Sequence, residues 1–111
     1  MKNFFVAFIV LLFNWTSYAQ QEFHVFPLDH ESTPGSSTGN GSLQNPWNLQ
    51  TALNQDAQVV NGGDIIWLHD GVYNGRFTST LQSTINNKFI TVASFLNEWA
   101  ILNGNIKSNR K

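Results

Sequence analysis

At 111 residues, with 41% hydrophobic and 12% charged side chains, the chain is shorter than an average domain but apolar enough to fold, which excludes a disordered tail or a charged coil. Its formal net charge is −1 and it has no run of Lys or Arg to neutralise phosphates or an anionic membrane surface, so nucleic acid is not expected as a partner. The absence of cysteine rules out disulfide staples, thiolate metal sites, a thiol nucleophile and a lipid-modified cysteine.

The first segment reads as an export signal. Lys2 supplies the positive charge, Phe4 to Phe13 is an unbroken apolar run, and Ser17-Tyr18-Ala19 places small residues where signal peptidase cuts. The run is far shorter than the roughly 20 residues that span a bilayer. Residues 1–19 are therefore expected to be removed, leaving no stable membrane span and a secreted or periplasmic protein.

Residues 20–63 form the second unit. Phe23 to Leu28 alternates large residues and reads as a short strand, which Pro27 confines to an edge or an end. Asp29 to Gln44 is rich in Ser, Thr, Gly and Asn and reads as a surface loop, with Pro34-Gly35 as a turn. Within it Asp29, His30 and Glu31 are adjacent, but neighbours on a loop do not converge on one cation, so no metal site is assigned. Asn40-Gly41-Ser42 matches the glycosylation pattern. A helix is predicted from Pro46 to about Ala57. Asn45 would cap it, Pro46 would take the first helical position, and Leu49, Ala52, Leu53 and Ala57 would form one apolar stripe, ended by Asn61-Gly62-Gly63.

Residues 64–111 carry an internal repeat. Ile66 and Ile90, Leu68 and Val92, and Phe77 and Ile101 are each separated by 24 residues. Period-two alternation puts Ile66 and Leu68 on one face and Ile65, Trp67 and His69 on the other. Ile66, Leu68, Ile90 and Val92 are thus expected to stack as an interior ladder, and Phe77 over Ile101 as a second. A third strand is predicted at Leu81 to Ile85, ahead of Asn86-Asn87, which suit left-handed turn conformations. Strands recurring at this period predict an all-β solenoid: a triangular parallel β-helix of about two coils, with the amphipathic helix as a cap over its first coil.

Several segments carry a family resemblance: Gly63-Asp64-Ile65-Ile66-Trp67-Leu68, Gly71-Val72-Tyr73-Asn74-Gly75, Phe89-Ile90-Thr91-Val92, and Glu98-Trp99-Ala100-Ile101-Leu102-Asn103-Gly104. With Pro46 to Leu53 ahead of them, they resemble the start of right-handed parallel β-helix proteins of the pectate-lyase-like group, which includes chondroitinase B and alginate lyase. Gly62, His69-Asp70, Leu96-Asn97 and Asn103 depart from the family's turn pattern. The resemblance implies a polysaccharide or other glycan as partner and a lyase or hydrolase as the whole protein, with a non-catalytic glycan-binding or adhesion protein as the alternative. It places the catalytic groups, and any calcium, on coils beyond this chain. No catalytic residue, metal ligand or cofactor is therefore expected here, and a second coil running from Lys88 to Lys111 reads as the end of a truncated amino-terminal piece.

One residue suggests a binding role. Trp67, facing outward from a sheet, would give a sugar ring a flat apolar surface to stack on, unless a neighbouring segment covers it. Asp64 reads as a turn aspartate that bonds backbone amides. His69 and Asp70 are adjacent, point to opposite faces of a strand, and so do not pair with one another.

Overall fold

The computed structural model describes residues 20–104. The export signal predicted for residues 1–19 lies outside them. Among the described residues, five short strands and one short helix make up the regular structure: β1 (Glu22–Val25), α1 (Leu49–Leu53), β2 (Ile65–Leu68), β3 (Gly71–Asn74), β4 (Thr91–Ser94) and β5 (Ala100–Asn103). β1, β2 and β4 form one parallel sheet in that order, and β3 pairs with β5 in a second.

These two small parallel sheets replace the predicted β-helix. The register removes the uniform repeat on which that expectation stood. Ile66 pairs with Val92 and Leu68 with Ser94, an offset of 26 residues. Val72, not Phe77, pairs with Ile101, an offset of 29. Leu81 to Ile85 is not a strand, so the third side of a triangular coil is absent from the described residues. The 24-residue spacing paired apolar residues that chain length alone made equivalent. Insertions in the turns shift the true partners by two residues in one sheet and five in the other.

The cap helix is also absent. Among the described residues helical structure is confined to Leu49–Leu53, because Trp47 is already committed to extended pairing. Trp47 bridges both Val25 and Ser36, its N–H donates to His24 O at 3.1 Å, and its carbonyl accepts from Phe26 N at 3.1 Å. A residue paired on both sides cannot also be helical, so the helix starts at the next available cap. That cap is Asn48, whose Oδ1 accepts from Thr51 N at 2.8 Å.

The inward faces follow the alternation. Phe23 and Val25 of β1, Ile66 and Leu68 of β2 and Tyr73 of β3 are buried with Trp47, Leu49, Ala52 and Val60 in one core cluster. Phe23 and Trp47 stack with centroids 5.0 Å apart. Gly41 permits that contact: its φ is +84°, and a Cβ there would come within 2.8 Å of Phe23 Cδ1. The ladder predicted at Ile66, Leu68, Ile90 and Val92 is closed only in part. The first two are buried and Ile90 packs at the margin, but Val92, on the edge strand β4, is 40% exposed.

Candidate functional site

The outer face of the three-stranded sheet is set by the same register. Glu22, Ile65 and Thr91 form one row across it, and His24, Trp67 and Ala93 the next. The chain continues the ladder one step further, with His69 N bonded to Val25 O at 2.9 Å and Phe95 N to Leu68 O at 2.8 Å. This brings Phe26, His69 and Phe95 into a third row. The His69 ring is clamped between the other two, its centroid 4.1 Å from Phe26 and 4.4 Å from Phe95.

Trp67 stands in the middle row and is half-buried. Among the described residues no hydrogen bond or ring contact joins its indole to the Asp29 to Gln44 loop. Instead Nε1 donates to Glu22 Oε1 at 2.7 Å, and Phe95 meets the ring edge-on at 5.5 Å. Two contacts at different points of one ring leave it little rotational freedom.

Beside Trp67 lies an arrangement that the sequence reading missed. His24 Nδ1 is 2.8 Å from His69 Nε2, and His69 Nδ1 is 3.1 Å from Glu98 Oε1. Glu98 is delivered by a tight turn in which Glu98 N donates to Phe95 O at 2.9 Å and Asn97 adopts a φ of +60°. The same Oε1 also accepts from Asp70 N at 3.0 Å, which fixes the carboxylate. His69 is itself held from behind, because the Tyr73 hydroxyl donates to its carbonyl at 2.6 Å and to Val25 O at 3.0 Å. In the sequence His69 sits beside Asp70. Its actual partners lie 45 and 29 residues away. The available signal was that both histidines occupy outward phases of strands, which matters only once those strands are known to be neighbours.

The trio is linear and does not converge. His69 spends both ring nitrogens inside it, which leaves none for a shared ion, and among the described residues no group of three or more such side chains could hold a metal. Burial lowers the His24 pKa below 6.5; the charge of His69 acts in the same direction and that of Glu22 opposes it.

The remaining candidates stay apart from this face. His30 Nδ1 accepts from Thr33 N at 3.2 Å, a local turn bond, while Asp29 and Glu31 point to solvent. His30 Nε2 is 3.9 Å from the exposed Asp70 carboxylate, a surface contact of little weight. Asp64 is buried and bonds backbone amides, accepting from Gln21 N at 3.0 Å and Asn61 N at 2.9 Å. A cleft of about 760 Å³ runs along Gln21, Gly63, Asp64 and Lys88 and includes neither Trp67 nor the histidine pair. Among the described residues no helix is long and apolar enough to cross a membrane.

No family model, curated protein or solved structure matches the chain.

Proposed function

We propose that this chain is the amino-terminal portion of an exported polysaccharide-acting protein, and that its own contribution is to hold a saccharide against the outer face of β1 and β2. The cleaving groups of the whole protein, a lyase or hydrolase, lie outside the chain. The observation that carries the reading is the fixed orientation of Trp67, anchored at Nε1 by Glu22 and edge-on by Phe95. An indole held in place before a ligand arrives loses little entropy on binding, which is what a stacking platform requires. The resemblance of the segments between Gly63 and Gly104 to those of polysaccharide lyases is what suggests polysaccharide as the ligand class. Trp99 is 80% exposed and is the rival platform, but among the described residues no ring packs on it.

Isothermal titration of the exported chain with oligouronates tests this. Trp67→Ala should weaken binding roughly tenfold, Trp99→Ala should leave it unchanged, and the polymer should not be shortened on incubation. Undiminished affinity in Trp67→Ala, or the appearance of cleaved ends, would refute the reading.

A further inference from the structure

The Glu98–His69–His24 chain has a defined polarity. An ionised carboxylate can only accept, so a bond from His69 Nδ1 to Glu98 Oε1 at 3.1 Å needs the proton on Nδ1. Asp70 N donating to the same oxygen at 3.0 Å fits an acceptor there. His69 Nε2 is then a lone pair, and the 2.8 Å contact with His24 requires His24 Nδ1 to donate. His24 Nε2 is consequently left without a proton. Among the described residues no buried side-chain nitrogen or oxygen lacks a partner, whereas His24 Nε2 bonds no described residue, so this atom opens to solvent. It does so next to Trp67 across the β1–β2 register.

We propose that His24 Nε2 is a tautomer-locked hydrogen-bond acceptor for a sugar hydroxyl, and that Glu98, acting through His69, is the positioning residue that sets its polarity. The proposal rests on the saccharide reading of Trp67 and adds the polar half of that site. A stacked ring presents its hydroxyls around its rim, and an acceptor beside the indole captures a donor there. Acid removes the acceptor. The groups facing His24 are Glu22 on its own strand, His69 beyond β2, and Glu98 behind His69; β4 contributes no charged residue. A protonated His24 keeps its Nδ1–H bond to His69 but presents Nε2–H outward, turning the site from acceptor to donor. His24 is held below the ordinary imidazole pKa, which keeps it in the accepting form near neutral pH.

Three measurements on the exported chain test this. The first is long-range ¹H–¹⁵N NMR of the free protein, which reads the tautomer without any ligand: His24 should carry its proton on Nδ1. Glu98→Ala should release His69 to the other tautomer and invert both rings. The second is titration with a neutral oligosaccharide and with an oligouronate. His24→Phe should bind whichever ligand the wild type binds roughly threefold to tenfold more weakly, and His24→Gln, whose amide oxygen can accept in place of Nε2, should recover part of that loss. The third is pH dependence: wild-type binding of the neutral sugar should fall on acidification through the His24 titration, and His24→Gln should bind with a flat profile. A proton on His24 Nε2 in the free wild type, or affinity indifferent to His24→Phe while Trp67→Ala still weakens it, overturns the proposal and leaves the platform standing. Absence of saccharide binding at any pH overturns both.

Discussion

Tyr73 joins the core to the outer face through a single oxygen, donating to Val25 O at 3.0 Å and His69 O at 2.6 Å. Burial first, then the nearby Asp70 and Glu98 carboxylates, raise the phenol above its ordinary pKa of 10, against the opposing effect of the His69 backbone bond. The folded state thus favours the neutral phenol. Its contribution is complete below about pH 10 and is lost as pH rises toward the higher folded value. Tyr73→Phe should cost about 1–2 kcal/mol in denaturant titration, because the His69 carbonyl loses a partner. His24 works with the opposite sign. Its folded pKa lies below 6.5, so the unfolded chain takes up the proton first and acidification below about pH 6.5 removes stability. The gap between urea midpoints measured near about pH 7.5 and about pH 5.5 should therefore be larger in the wild type than in His24→Phe. An equal gap would mean that His24 does not titrate at a lowered value.

At the scale of elements, the inward phase of β2 sets the ranking of two substitutions. Leu68→Asp places an unpaired carboxylate in the core cluster and should cost about 3 kcal/mol or more, whereas Trp67→Ser gives up packing on the half-open outer face. Equal loss of stability in the two would mean that the phase is reversed. Asn48→Ala should cost about 1 kcal/mol by removing the cap of α1. The phase of β2 could be read from the sequence because Ile66 and Leu68 alternate with Trp67 and His69 and strand geometry has a strict period of two. The left-handed turn at Asn87, φ +61°, could be read from the residue type. The helix could not be read correctly: the stripe Leu49, Ala52, Leu53 is real, but Asn45-Pro46 gives a helix-start signal that the pairing of Trp47 with Val25 overrides. Partner choice between strands was equally hidden. Offsets of 26 and 29 residues depend on turn lengths that local alternation does not encode. The histidine pair depends on that partner choice and was hidden with it.

At the scale of the whole molecule, β4 and β5 are edge strands, and Val92, Ile101 and Leu102 on them are 40%, 48% and 55% exposed. An open parallel edge lined with apolar side chains is a template for pairing with another strand. The chain alone is therefore expected to self-associate as its concentration rises. Sedimentation velocity should show this, and Val92→Lys with Ile101→Lys should suppress it. A concentration-independent monomer in the wild type would contradict the expectation. The outer face carrying Trp67 and His24 is separate from those edge residues, so the association-resistant double variant should retain saccharide binding.

Residue-resolved NMR of that double variant during titration with oligouronates locates the contact most directly. Binding at the outer face predicts that the Trp67 indole N–H and the His24 ring shift first and most, with Trp99 unmoved. Shifts centred on Trp99, or confined to the cleft along Gly63 and Lys88, would place the saccharide elsewhere and contradict the assignment.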